Sequence, residues 1–350
     1  MSIAAVRLVS YRLRLRSPWV SARGVLESRC GWLVRVGDDE GLEGAGDCVP
    51  LPGAGTETAE QAIPWLERAA DEWRGLKPAE ALARLDRSSC TPAARCGLET
   101  ALLDLLARRD GKPLARFLSA EAAEAVAVNA MIGAADEGTH GRALAAVAEG
   151  YTVLKLKVGI GLLDDELAWI ERAVQALPPN VVLRLDANRG WSEADARRAI
   201  ARLRSLPLDA LEEPLAMPGL HTLAELQEAA PFAIALDESL PLLGLDAVLK
   251  ARAVRRLVLK PMVLGGLRAT LAAARRARDA GLEWVVTTTV DSALGCWAAV
   301  HAAAALPTSR AHGLATSHWL AEDVAHPPRP VGGRVTVPAA PGLGVTQFPF

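Results

Sequence analysis

Lys157, Asp186, Glu212, Asp237 and Lys260 follow one another at intervals of 29, 26, 25 and 23 residues, each at the end of a short apolar run. Three carboxylates brought side by side repel one another unless a cation sits between them. An all-oxygen donor set without His or Cys points to a hard ion, Mg2+ or alternatively Mn2+. Lysines at both ends of the series place ammonium groups on either side of that ion. Lys155 shares a strand face with Lys157 by the period of two, so its charge can depress the pKa of its neighbour. A lysine that is to act as a base must come down from about 10.4 toward 7 or 8. Lysine bases beside a dication suit abstraction of a proton α to a carboxylate, the cation acting as Lewis acid on the developing dianion.

The elements that would position these residues repeat. From Val126 onward, apolar runs alternate with Ala- and Arg-rich amphipathic stretches: 125–132, 152–158, 181–187, 208–214, 233–239, 256–261, 284–289 and 312–316. Strand alternating with helix argues for a parallel sheet, because parallel neighbours need a crossover. Eight units in roughly 200 residues fit a closed α/β barrel better than an open sheet. One unit per interval puts the five residues on consecutive strands, two through six, at equivalent heights at the C-terminal ends, where barrels build their sites. Strands two and six face each other across a ring of eight.

The first 45 residues read as antiparallel strands with a turn at Asp38–Gly41. Helices follow from Thr58, which forms a capping box with Gln61, and after Thr91 and Pro92, where Leu98, Leu102, Leu105 and Leu106 line one face. This divides the chain into an α+β unit over 1–124, a barrel over 125–325 and a Gly/Pro-rich segment over 326–350 that returns to the first unit. The loops Ser17–Leu26 and Pro50–Thr58 are candidate lids over the barrel mouth.

In 350 residues, 51% hydrophobic with a net charge of −2, there is apolar material for a large core and no bias toward nucleic acid or anionic membrane. Five cysteines without a CxxC pair disfavour a disulfide framework and suggest reducing cytoplasm. No signal-peptide pattern opens the sequence, and Asp291 and His301 interrupt the most apolar stretch, 284–306. His301 reads as a helix-face residue and His312 as the lead-in to strand eight, so neither is expected to be the base.

The motifs KLKVG (155–159), RLDANRGW (184–191), LEEPL (211–215), ALDES (235–239) and LKPMVLGG (259–266), with GDCVPLPG (46–53) and PGLG (341–344), resemble the muconate-lactonizing branch of the enolase superfamily, and within it the o-succinylbenzoate synthases. Sites of that superfamily pair a Lys or His base with magnesium. The resemblance implies a modified TIM-type (β/α)7β barrel under an α+β capping domain. It makes Asp186, Glu212 and Asp237 the Mg2+ ligands, Lys157 the base, Lys155 its partner and Lys260 the lysine across the site. Asn188 and Glu238 become supporting polar groups, and Arg184, Gly265, Gly266 and the Thr287–Thr289 run, Thr289 included, fall where relatives contact substrate.

The implied activity is that of a hydro-lyase: dehydration of 2-succinyl-6-hydroxy-2,4-cyclohexadiene-1-carboxylate to 2-succinylbenzoate, a step of menaquinone synthesis. The alternatives are an N-succinylamino acid racemase, a dipeptide epimerase, or a barrel that binds metal and ligand without turnover. Dipeptide epimerases usually carry DxD at the end of strand eight, where this chain has HGLATSHWLAEDV. Asp47, where relatives often carry Glu, and Cys30 after Arg29 depart from the family pattern in the cap. The partner implied is a small-molecule carboxylate, with room left for a homo-oligomer.

Overall fold

The computed structural model describes residues 2–21 and 24–345. Strands β1 (Ile3–Ser21), β2 (Gly24–Asp38) and β3 (Glu43–Cys48) form an antiparallel meander in that order. Alternation dictates its faces: Tyr11 and Leu13 are buried while Arg12 and Arg14 are exposed. The turn at 38–42 is closed by the Asp38 carboxylate, which accepts the amides of Glu40 and Leu42. The segment 17–26, expected as a loop, is instead the end of the β1–β2 hairpin, paired from Trp19↔Leu26 to Ser21↔Gly24 beyond a bulge. Of the candidate lid there, Ala22 and Arg23 lie outside the described residues.

Helices α1 (Ala59–Glu72), α2 (Pro78–Arg87), α3 (Pro92–Arg109) and α4 (Leu114–Leu118) follow. The Gln61 side chain accepts the Thr58 amide at 2.9 Å, the return half of the expected capping box. Helix α3 is buried on nearly all sides rather than on one leucine stripe. It lies so close to β3 that a Cβ on Gly46 would meet the Gly97 carbonyl at 2.0 Å.

The rest of the fold is β4 (Ala125–Ala127), β5 (Ala130–Ala134), α5 (Thr139–Ala148), β6 (Val153–Lys157), α6 (Leu163–Gln175), β7 (Val182–Asp186), α7 (Glu193–Leu203), β8 (Leu208–Glu212), α8 (Leu220–Ala229), β9 (Ala233–Leu236), α9 (Leu240–Leu243), α10 (Leu245–Ala251), β10 (Arg256–Leu259), α11 (Pro261–Leu264), α12 (Leu267–Asp279), β11 (Glu283–Val286), α13 (Ala293–Ala305) and β12 (Arg334–Thr336). Strands β5 to β11 make one parallel sheet in sequence order. Its register puts Lys157 beside Asp186 and Asp186 beside Glu212.

The first expected barrel run splits: β4 leaves to pair with β12, and β5 enters the sheet. The eighth is reduced to single-residue bridges, His312 to Val128 before β5 and Gly313 to Thr287 after β11, which connect the segments flanking the two edge strands. The chain has left extended geometry by Thr316 (φ −103°, ψ −14°), so no ladder can grow there. The main core lies between sheet and helices, with Leu154, Leu156, Ile170, Leu183 and Ile234 fully buried. Inside the barrel a small layer of Ala210, Ala233, Ala235, Val258 and Val285 suffices. After β12 the chain meets the first unit, where Leu343 N–H donates to Asp104 on α3 and Leu114 N–H to the Gly342 carbonyl. The strand-like end expected beyond Val345 lies outside the described residues. The apolar stretch 284–306 is β11 plus α13, and no helix among the described residues is long and apolar enough to cross a membrane.

Candidate active site

Inward-facing positions at the C-terminal ends of β6 to β11 line a cavity of about 310 Å³. Lys155, Lys157, Asp186, Asn188, Glu212, Asp237, Glu238 and Lys260 all reach it. Period-two spacing makes this work: Leu154 and Leu156 turn out to the helices, so Lys155 and Lys157 turn in. Turns past the strand ends then adopt left-handed backbone at Asn188 (φ 44°), Arg189 (φ 63°), Glu213 (φ 47°) and Val290 (φ 62°), strain that gathers at this end of the barrel.

The charges interlock across the strands. Lys155 Nζ lies 2.9 Å from Asp186 Oδ2 and also hydrogen-bonds Glu212 Oε2. Lys260 Nζ donates to Asp237 Oδ2 at 2.7 Å, and Lys157 Nζ donates to Asn188 Oδ1 at 2.8 Å. Burial alone would lower all three ammonium pKa values. For Lys155 the charges of Asp186 and Glu212 outweigh it, and for Lys260 those of Asp237 and Glu238, so both are raised. Lys157 stays lowered by burial: Asp186 opposes the shift, while the Lys155 and Lys260 charges add to it. The expected depression by Lys155 is thus present but secondary to burial.

Glu212 is raised by burial and by the charges of Asp186 and Asp237, which places the three carboxylates within mutual repulsion. Among the described residues no three Asp, Glu, His or Cys side chains close on a point that could hold a metal, because Lys155 and Lys260 lie on the carboxylates instead. The donor chemistry nevertheless fits a hard divalent cation: the oxygens come from three adjacent strands and repel one another without an added charge.

Other expected contacts are distributed unevenly. Thr289 lines the cavity with Thr287 and Thr288, and its hydroxyl donates to Asp291. Arg184 also borders it, but its guanidinium is turned to Asp209 Oδ2 (2.8 Å), Asn129 Oδ1 (3.2 Å) and the Ala311 carbonyl (2.9 Å). Gly265 and Gly266 are not brought to the cavity. They close the turn after α11 against α3, where a Cβ on Gly266 (φ 127°) would meet Glu99 Oε2 at 1.7 Å.

Sequence reasoning missed Glu213, whose buried carboxylate accepts the amides of Asp237 (2.6 Å) and Ser239 (2.9 Å) and so orients Asp237. Burial and the Glu238 charge push it up to about 8. The Glu-Glu doublet was its only signal. Also missed were Asn129, Met131, Thr316 and Trp319, while Val25, Leu26, Leu51, Gly53 and Ala54 bring the candidate lid segments to the opposite wall.

Fold and site together define a capped β/α barrel with lysines on opposed walls and carboxylates between them. The family model for the enolase C-terminal domain-like fold matches residues 140–347, and that for the MenC N-terminal domain matches 3–105. An o-succinylbenzoate synthase of Desulfotalea psychrophila is 30% identical over 344 residues, 88% of this chain and 93% of that protein. An N-succinyl-L-Arg/Lys racemase of Bacillus cereus is 25% identical over 311 residues, 87% of this chain and 84% of its own. The dipeptide epimerase from Enterococcus faecalis complexed with Mg and L-Leu-L-Tyr superimposes with a TM-score of 0.88 at 25% identity, over 99% of this chain and 100% of that one. The chain belongs to the enolase superfamily.

Proposed function

We propose that the protein is an o-succinylbenzoate synthase, a hydro-lyase that dehydrates 2-succinyl-6-hydroxy-2,4-cyclohexadiene-1-carboxylate to 2-succinylbenzoate in menaquinone synthesis. The observation that carries this reading is the joining of an opposed-lysine, three-carboxylate cavity to a cap that matches the MenC N-terminal domain model. Asp186, Glu212 and Asp237 would hold Mg2+, or Mn2+ in its place, with Asn188 and Glu238 beside them. When bound, the cation supplies Lewis-acid stabilisation of the carboxylate oxygens as their negative charge grows.

The chain's own groups do the proton work. Lys157, whose neutral form is favoured by burial and by two ammonium neighbours, takes the ring proton α to the carboxylate on Nζ. The electron pair left on carbon expels the hydroxyl as its C–O bond breaks. Protonated Lys157 returns the proton to that leaving oxygen, so water departs and the ring becomes aromatic. Lys260, raised by Asp237, remains a cation beside the ring.

A second reading keeps the same first step. If Lys260 instead delivers a proton to the opposite face, the product is an inverted α-carbon, the activity named for the Bacillus cereus relative. Incubation with Mg2+ in D2O separates the readings. Loss of diene absorbance without α-deuteration of N-succinylamino acids or dipeptides is expected. Rapid α-deuteration with no dehydration overturns the synthase reading, and silence in both indicates binding without turnover.

A further inference from the structure

Arg29 on β2 is buried to 2% exposure at the seam of cap and barrel, and its guanidinium spans three backbone carbonyls. Nη2 donates to Val49 O at 2.7 Å, Nη1 to Pro50 O at 2.9 Å and Nε to Val290 O at 3.1 Å. The first two carbonyls open the cap loop that carries Leu51, Gly53 and Ala54 to the cavity. The third belongs to the opposite wall, in the turn between β11 and α13.

That turn is strained. Val290 is β-branched yet holds φ 62°, a region such residues avoid. Buried polar contacts fix it on its far side too: Asp47 Oδ2 on β3 accepts the Ser292 amide (3.1 Å) and hydroxyl (2.8 Å), and Tyr11 on β1 donates to Asp47 Oδ1 at 2.5 Å. Asp291 accepts the Thr289 amide at 3.0 Å. Burial, then the Asp291 charge, pushes Asp47 up to about 7, so the chain retains this carboxylate at an electrostatic cost.

We propose that Arg29 and Asp47 are positioning residues: together they clamp the cap loop and the strained Val290 turn at a fixed separation, and so set the width of the cavity that receives substrate. This accounts for buried charge at a seam that apolar packing could have filled. A lysine at position 29 would keep the charge but lose the planar fork that reaches carbonyls on both walls. The identity of the substrate rests on the synthase reading; the clamp itself does not.

The test compares Arg29→Lys, Val290→Gly and the double variant with the wild-type chain, by amide hydrogen exchange in the free protein and by kcat and KM with Mg2+ and the cyclohexadiene carboxylate. Arg29→Lys is expected to speed exchange about tenfold in both 51–56 and 288–293, and to raise KM about tenfold with kcat nearly unchanged. Adding Val290→Gly should recover part of the KM loss, because a relaxed turn no longer needs the clamp. Exchange unchanged in either segment, or no recovery in the double variant, overturns the proposal. Should Arg29→Lys not fold, Asp47→Asn takes its place, expected to loosen 288–293 and leave 51–56 protected; protection unchanged in 288–293 also overturns it. A wild-type chain that turns over no diene defeats the synthase reading while the exchange result still decides the clamp.

Discussion

The barrel carries two charged layers on the same strands, one at its floor and one at its mouth, and they are built from different cations. At the floor Arg184 and Arg256 converge on Asp209, Arg256 reaches Glu283 Oε2 at 2.7 Å, and Arg310 closes the ring by pairing with Glu283. At the mouth Lys155, Lys157 and Lys260 meet Asp186, Glu212, Asn188 and Asp237. A thin layer of alanines and valines lies between them, bridged by Arg184, whose Nε is also 3.8 Å from Glu212 Oε1. Guanidinium forks fix several bonds at once and never give up their proton, whereas an ammonium is a point charge whose pKa follows its surroundings. Burial would raise Asp209, but Arg184 and Arg256 outweigh it and hold it down at about 2. The floor is therefore a fixed ion cluster, tied to the mouth through Arg184, and the mouth one in which a proton can move.

The largest effect should fall on the mouth and leave the floor untouched. Lys157→Ala is expected to lower turnover by about 10^3-fold. Its urea midpoint and its uptake of Mg2+, read by calorimetry, should match wild type. Substantial residual turnover would place the base elsewhere.

Asp209→Ala reverses that pattern. It leaves Arg184 and Arg256, each about 1% exposed, without their shared carboxylate. Breaking a buried cluster from one side costs about 3–5 kcal/mol, visible as a lower urea midpoint. Molecules that remain folded should retain their kcat. A stable Asp209→Ala chain would mean that the floor is not a structural lock.

A matched exchange sharpens the contrast. Arg256→Lys should cost about 2 kcal/mol of stability through lost charge-assisted bonds, with little change in kcat. Lys260→Arg should cost little stability and lower turnover, since the planar head cannot replace a compact ammonium 2.7 Å from Asp237. Similar profiles for the two variants would erase the distinction between the layers.

The mouth was legible in the sequence and the floor was not, although both obey the period of two. Lys157, Asp186, Glu212, Asp237 and Lys260 end their apolar runs, where a lone polar residue is conspicuous. Arg256 and Glu283 begin theirs and read as ordinary flanks of loops. Family pattern assigns Gly265 and Gly266 to substrate, yet Gly265 approaches Arg95 and Gly266 approaches Glu99, some 167 residues earlier in the chain, contacts invisible to spacing. The eighth run pairs only through single-residue bridges, because Thr316 turns out of extended geometry, which a five-residue apolar run does not reveal. Arg29, Asp47 and Val290 drew notice at most as departures from a pattern, since their contacts join segments more than 240 residues apart.

The smallest effect concerns an uncharged group beside Arg184. His312 is buried, its Nδ1 accepts the Val286 amide at 2.9 Å, and burial, with the Arg184 charge, pushes it down to about 3. An unfolded histidine titrates near 6.5, so between that value and about 3 the unfolded chain binds the extra proton. The stability His312 contributes is complete above the unfolded pKa and is lost as pH falls toward about 3. Asp209, likewise depressed, loses its contribution lower down, between about 4 and 2. His312→Asn keeps an acceptor for Val286 and removes the titration. The stability difference between wild type and variant should be flat above about pH 7 and shift by about 1.4 kcal/mol per pH unit between about 6 and 4, in the variant's favour as acid is added. Taking the difference cancels His301 and the raised carboxylates, which titrate equally in both chains. A difference that stays constant down to pH 4 would show that the floor tolerates an imidazolium beside Arg184, and that its closure does not depend on keeping this one group neutral.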